Sequence, residues 1–242
     1  MYHDTTMRRL ERLDPPQSPF ARLSGAAAPT TSSGRSRRPQ GFNPGRVLDV
    51  ALAGSILVFL APLMLLIALT IWMEDGGWPL FGHRRIGRGG VSFPCLKFRS
   101  MVPDAEARLE RLLATNPEAQ LEWQTDHKLR EDPRITRLGG FLRRSSLDEL
   151  PQLINVLRGD MSIVGPRPIV EGEVRRYGHG FKHYCAVRPG ITGLWQVSGR
   201  NNLSYRRRVA LDRLYVRSRS FNRDLAIMAM TLPAVLTRNG SY

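Results

Sequence analysis

The stretch Arg143-Arg144-Ser145-Ser146-Leu147-Asp148-Glu149-Leu150-Pro151-Gln152 sets two carboxylates side by side, just after two arginines. A carboxylate can attack phosphorus and form an acyl phosphate, which divides one hard displacement into two easier ones. A second carboxylate can hold Mg²⁺, which neutralises a pyrophosphate and its leaving group. Asp148 and Glu149 offer both roles in adjacent positions. The attacking group must be ionised, and a helix N-terminus with nearby arginines favours that state. A plainer account competes. Ser146 and Glu149 have the spacing of a capping box, and acids suit the first turn of a helix.

The surroundings favour chemistry. Lys97-Phe98-Arg99-Ser100 closes an extended segment, and Gly165-Pro166-Arg167-Pro168 stiffens Arg167 between two prolines. Arg188-Pro189-Gly190 and Ser198-Gly199-Arg200-Asn201 follow. Arginines on stiff loops around an acid pair fit a pyrophosphate pocket. Composition agrees: the net charge is +15, and 33 of the 36 basic residues are arginine. Arginine grips phosphate with a planar fork, so the partners indicated are nucleotide, anionic lipid or nucleic acid. A recognition helix or base-stacking motif is missing, so no nucleic-acid partner is expected. Cys95 and Cys185 make neither a disulfide framework nor a zinc ribbon. His179 and His183 stand four apart near Cys185, but Gly178 and Gly180 oppose a regular helix, so a solvated loop is expected there. Trp195 reads as a packed aromatic rather than a platform for a base.

Several elements must position these groups. Residues 1–41 are rich in Pro, Ser, Thr, Gly, Ala and Arg and read as a disordered basic tail. The 24 residues 50–73 carry no charge, which is long enough to cross a bilayer. Pro62 interrupts their middle, and arginines flank both ends, which the positive-inside rule places on one side. A helix over 42–75 that enters the membrane, breaks near Pro62 and returns satisfies both constraints; an ordinary kinked span is the alternative. Residues 79–86 and 91–98 read as strands around Gly87-Arg88-Gly89-Gly90. Residues 104–113, a segment opening at Pro117, 135–144, 147–157, 204–216 and 224–236 read as helices. The stripe Leu225, Met228, Leu232 and Val235 suits core or bilayer-interface packing. The fold class is thus α+β, predominantly helical, with an N-terminal re-entrant membrane helix, a small β-hairpin and interfacial amphipathic helices. Residues 76–240 form a cytoplasmic catalytic domain in this reading.

Three runs are recognisable. They are Asp132-Pro133-Arg134-Ile135-Thr136-Arg137-Leu138-Gly139, the acid-pair stretch on to Leu153, and Asn155-Val156-Leu157-Arg158-Gly159-Asp160-Met161-Ser162-Ile163-Val164-Gly165-Pro166-Arg167-Pro168. They closely resemble the bacterial sugar transferase family, the monotopic phosphoglycosyl transferases that begin exopolysaccharide assembly. Pro189-Gly190-Ile191-Thr192-Gly193-Leu194-Trp195-Gln196-Val197-Ser198-Gly199-Arg200 continues the likeness, which covers about residues 42–240.

The resemblance implies transfer of a sugar-1-phosphate from a UDP-sugar, a hexose such as galactose or glucose, to undecaprenyl phosphate with release of UMP. It implies a ping-pong path with Asp148 as nucleophile and Glu149 as the ligand of a Mg²⁺ cofactor. Lys97, Arg99, Arg143, Arg144, Arg167, Gln196 and Arg200 fall in family motifs and are implied to bind phosphate or substrate. The family's re-entrant helix agrees with a break at Pro62. The implied location is the bacterial inner membrane, with the catalytic domain on its cytoplasmic face. The implied partners are UDP-sugar, polyprenyl phosphate and membrane lipid, with a homo-oligomer and downstream glycosyltransferases left open. A catalytically silent scaffold is the competing reading, opposed by the intact acids and loop arginines.

Overall fold

The computed structural model describes residues 44–126, 129, 131–199 and 202–236. The expected basic tail and Arg200 lie outside the described residues. The described chain is mostly helical, with one antiparallel strand pair and one short parallel pair.

Helix α1 (Pro44–Asp75) has 32 residues and is long and apolar enough to cross a membrane. It continues through Pro62 without the interruption expected from the sequence. Proline removes its own donor and disturbs one turn. The apolar turns on either side keep their backbone bonds, so the helical run survives. Two stretches of α1 rest on the rest of the protein. Near the N-terminus, Asp49 accepts from Ser162 Oγ at 2.8 Å and from the Ile163 amide at 2.9 Å, while Ala53 enters a core with Phe93, Leu153, Val156 and Met161. Near the C-terminus, Ile67 and Ile71 pack with Phe98 and Leu142 in a second core. Between them Val58 and Phe59 are about four-fifths exposed, 78% and 82%.

Strands β1 (Leu80–Ile86) and β2 (Ser92–Phe98) form the expected hairpin, with Arg85 opposite Phe93 and His83 opposite Cys95. Side chains alternate between faces along a strand. Phe93 and Cys95 turn inward to the core, and Lys97 shares their face. Helices α2 (Ala105–Thr115), α3 (Pro117–Asp126) and α4 (Arg137–Ser145) follow. Thr136 caps α4 by accepting from the Gly139 amide at 2.9 Å.

The helix expected over 147–157 is divided. A single 3-10 turn spans Leu147–Glu149, and helix α5 begins only at Gln152 and runs to Arg158. Pro151 separates the two. Strand β3 (Ser162–Val164) then pairs in parallel with β4 (Gly190–Thr192). Three-residue strands leave no periodic signature, so the sequence did not announce them. Gly165 and Gly190 make this junction, since a Cβ on either would collide with the backbone at the other.

Helices α6 (Val174–Tyr177) and α7 (Phe181–Cys185) flank a 3-10 turn at Gly178–Gly180. The solvated loop expected around His179 and His183 is therefore helical in short pieces. Tyr177 and Tyr184 are buried there and anchor the segment in a core with Ile86, Ile169 and Val209. Among the described residues no group of three or more His, Cys, Asp or Glu could hold a metal ion. Helices α8 (Leu194–Val197), α9 (Tyr205–Arg217) and α10 (Phe221–Leu236) complete the chain. Trp195 is buried, with Arg208 over its ring at 4.9 Å.

Candidate active site

The acid pair is built by the tight turn between α4 and α5. Ser146 ends α4 in the left-handed region at φ 58°, the one non-glycine residue with positive φ among those described. Such a conformation is costly for a side-chain-bearing residue and persists where the surroundings demand it. Here it reverses the chain so that Asp148 faces inward. The capping-box account fails at this point. The Ser146 side chain makes no cap bond, and the Glu149 carboxylate reaches Lys97 instead.

Lys97 Nζ donates to Glu149 Oε1 at 2.6 Å and to Asp148 Oδ2 at 3.4 Å. One cation thus bridges two adjacent carboxylates. Asn155 fixes the strand that carries it: its Oδ1 accepts from the Leu96 amide at 2.9 Å, and its Nδ2 donates to Pro94 O at 2.9 Å. Asn155 also donates to Asp160 Oδ2 at 3.1 Å and is fully buried. Because α5 follows the acid turn directly, this one amide sets Lys97 against the acids.

Burial pushes the Asp148 carboxyl above the usual carboxylate value, and the neighbouring Glu149 charge adds to it; Lys97 and Arg143 oppose this without cancelling it. The sequence led to the opposite expectation. It weighed nearby cations but not the loss of water. Glu149 behaves differently. Burial acts upward there too, but Lys97, Arg167 and Arg85 together hold it below its ordinary value.

A pocket opens beside the pair. Arg85, Cys95, Lys97, Glu149, Gln152 and Arg167 line it, with Gly190, Ile191 and Gln196. Arg167 is exposed at the rim. Arg143 Nε donates to Ser100 Oγ at 2.8 Å, which holds its guanidinium in the field of Asp148. Gly139 permits this seat, because a Cβ there would strike the Ser100 backbone. Arg99 is directed elsewhere: it forms a two-pronged pair with Asp75 at the end of α1 and donates to Trp78 O at 2.9 Å. Arg144 is exposed on α4 and makes no hydrogen bond or ion pair with a described residue. The structure therefore brings Glu149, Lys97, Arg167 and Gln196 into the pocket lining, sets Asp148 and Arg143 behind it through Lys97 and through their mutual charge, and directs Arg99 and Arg144 elsewhere.

Arg85, Cys95 and Gln152 line the pocket without having been singled out. Each was traceable. Strand alternation carries the Lys97 face back to Cys95 and across the hairpin to Arg85. Gln152 stands among the buried positions of α5, where a polar residue calls for a partner. Burial pushes the Cys95 thiol up to about 11, so it stays protonated at neutral pH and is no rival nucleophile.

Residues 43–238 match the model of the bacterial sugar transferase family, and the chain belongs to that family. It is 50% identical over 197 residues to the UDP-galactose-lipid carrier transferase of Erwinia amylovora, covering 81% of this chain and 41% of that protein. It is 49% identical over 205 residues to the exopolysaccharide production protein ExoY of Sinorhizobium fredii, covering 85% of this chain and 91% of that one. The undecaprenyl-phosphate galactose phosphotransferase of Salmonella typhimurium is 49% identical over 197 residues, 81% of this chain and 41% of its own length. The chain thus spans about two fifths of the first and third of these relatives and nearly the whole of the second.

Proposed function

We propose that the chain transfers a sugar-1-phosphate from a UDP-hexose, such as UDP-galactose or UDP-glucose, to undecaprenyl phosphate. The observation that carries this reading is the buried Asp148 carboxylate, bridged by Lys97 to Glu149, with the lysine and Glu149 lining a pocket that Arg85 and Arg167 also line. Asp148 attacks the phosphorus that bears the sugar. The bond from that phosphorus to the bridging oxygen breaks, and UMP departs with the electron pair. An oxygen of the lipid phosphate then attacks the same phosphorus and frees the carboxylate, leaving the sugar on a lipid pyrophosphate. Lys97, Arg143 and Arg167 hold phosphate oxygens and offset their charge. Burial raises the Asp148 value while the surrounding cations lower that of Glu149, and a more basic carboxylate is the better nucleophile once ionised.

The residues fit a Mg²⁺ ion. Mg²⁺ commonly takes one or two carboxylates and completes its shell with substrate phosphates and water, so it needs no cage of protein ligands. Glu149 Oε2 and Asp148 Oδ1 accept no hydrogen bond from described residues and remain as hard oxygen donors. Glu149 holds the ion in this reading, and the ion neutralises charge on the pyrophosphate.

The membrane reading rests on α1. Both its ends are tied to one body, at Asp49 and at Ile67 and Ile71, and the exposed apolar residues lie between. A helix crossing to the far side cannot keep both ends on a body that stays on one face. We therefore read α1 (Pro44–Asp75) as dipping its exposed middle into the bilayer from one face without crossing it, with residues 76–240 as the catalytic domain at the cytoplasmic face of the inner membrane. The exposed Phe221 and Leu225, one turn apart on α10, suit a helix lying at the interface.

The test is UMP release by the purified protein from UDP-hexose with Mg²⁺ and polyprenyl phosphate. Intact mass of enzyme with UDP-sugar alone should show one added hexose phosphate, absent in Asp148→Asn. Full turnover in Asp148→Asn removes that residue from the chemistry.

A further inference from the structure

The pocket lining divides by charge and by element. The hairpin and the loop after β3 supply its cations, Arg85, Lys97 and Arg167. Helix α5, strand β4 and helix α8 supply Gln152, Gly190, Ile191 and Gln196, none of them charged. Two amides are thus set into a site otherwise suited to phosphate.

Their bonding is incomplete. Gln196 Nε2 donates to Ile191 O at 3.0 Å, which fixes the amide end for end. Its Oε1 is buried and meets no donor. Gly193 closes on that oxygen, since a Cβ there would stand 2.9 Å away, so the amide has little room to turn. Gln152 is 4% exposed, and its side chain makes no hydrogen bond among the described residues. Buried polar groups are paired as a rule, and exceptions mark places where a ligand or water completes the set.

The chemistry of the missing partner follows from the donor–acceptor inventory. An amide oxygen only accepts, and an ionised phosphate oxygen also only accepts. Gln196 Oε1 cannot pair with phosphate, so its partner carries an O–H or an N–H. A nucleotide sugar offers sugar hydroxyls, ribose hydroxyls and the imide N–H of uracil. The sugar is bonded directly to the phosphorus that Asp148 attacks, while the base lies a further phosphate and a ribose away. Lys97, which bonds Asp148, lines this same pocket with the amides, so the sugar is the part of the donor nearest to them in this reading.

We propose that Gln152 and Gln196 hydrogen-bond the hydroxyl groups of the transferred hexose and set which hexose is accepted. The proposal rests on the phosphoglycosyl transfer described above. A site that hydrogen-bonds a hydroxyl discriminates strongly against a donor lacking it, because its own polar group is then stranded.

The experiment measures kcat/KM for UMP release with the full chain in lipid nanodiscs. UDP-galactose and UDP-glucose differ only in the orientation of the 4-hydroxyl, and CDP-glucose changes the base alone, with CMP released in place of UMP. Gln196→Met and Gln152→Met should each shift the galactose-to-glucose ratio by about tenfold while leaving the UDP-to-CDP ratio within about twofold. A measurement on wild-type protein avoids any folding defect: UDP-hexoses lacking single hydroxyls should lose about tenfold or more at one position at least. Sugar ratios unmoved in both variants, or a shift in the base ratio instead, overturn the proposal, as does wild-type indifference to every deoxy-sugar. Absence of UMP release from all donors by wild-type protein overturns the transfer reading itself.

Discussion

Asp212 sits within α9 with 2% of its surface exposed, and Asp148 sits on the turn before α5 with 7% exposed. Burial raises both carboxyls above their ordinary value. Their neighbours differ. Asp212 Oδ2 accepts from Tyr177 Oη at 2.7 Å, and Tyr177 packs edge-on against Tyr184 and Tyr205. The surroundings supply hydroxyls and rings, the Tyr177 bond and the Arg167 charge oppose burial without cancelling it, no cation pairs with the carboxylate among the described residues, and Asp212 is pushed up to about 7. Asp148 has Lys97 at 3.4 Å, and that lysine and the adjacent Glu149 line a pocket. Burial alone therefore does not make a carboxylate reactive. A facing cation and an adjoining pocket turn the same side chain from a structural acid into a candidate nucleophile.

The sharpest way to break the comparison is to remove each acid in turn. Asp148→Asn should lower UMP release by about a thousandfold or more with little change in melting temperature. Undiminished release would place Asp148 in the same structural class as Asp212. The next effect is at the cation. Lys97→Met should cost about a hundredfold or more in kcat/KM. Lys97 lowers the Asp148 value, so its loss raises that value further. If ionised Asp148 is the nucleophile, the acidic limb of the pH–rate profile moves upward in Lys97→Met, and an unmoved limb would detach Lys97 from the acid.

Asn155 keeps the two regions different by holding the strand of Lys97 to the acid turn. Asn155→Ala strands the Leu96 amide and the Pro94 carbonyl, and should destabilise the protein by about 2–4 kcal/mol, read from chemical unfolding. The activity that survives at low temperature should fall too, since Lys97 loses its fixed distance to Glu149. Stability lost with kcat/KM intact would show that the lysine needs no such guide.

Much of this contrast was legible in the residues, and the part that was not has a physical cause. The hairpin over 79–98 and the helices at 104–126, 204–216 and 224–236 follow from turn glycines, caps and apolar spacing, all local properties. The acid pair and the arginine-bearing loops are contiguous motifs, so they too could be read along the chain. The conformation of Ser146 could not. Its positive φ closes α4 through the Ser146 amide on Arg143 O, a geometry that serine does not advertise, and the local pattern suggested a capped helix instead. The raised value of Asp148 was missed because desolvation is a property of the packed turn. Arg99 shows the limit of motif logic, since its partner Asp75 lies 24 residues earlier at the end of α1.

The structural acid gives a smaller effect with a defined sign. Asp212 has a folded value of about 7 against an ordinary 3.8. A carboxyl raised on folding contributes stability that is fully present below about pH 4 and is lost as pH rises through about 7. Wild-type melting temperature should therefore fall by several degrees between about pH 5 and about pH 8. Asp212→Asn, which resembles the protonated form and still accepts from Tyr177, should flatten that dependence. A variant with the same slope as wild type would assign the pH response to other groups.

The smallest effect separates two adjacent arginines. Arg143 is held by Ser100 within the field of Asp148, while Arg144 stands exposed one position on, on a different face of α4. Successive residues on a helix are about 100° apart, so only one of a pair can address a given neighbour. Arg144→Ala should change kcat/KM by less than about twofold, as expected for a solvated surface cation. Arg143→Ala should cost about tenfold or more and also raise the acidic limb, because a cation that lowers the Asp148 value has gone. Equal losses in the two variants would mean that both cations act through the general positive field of the surface. The fixed contact at Ser100 would then have no bearing on the reacting carboxylate.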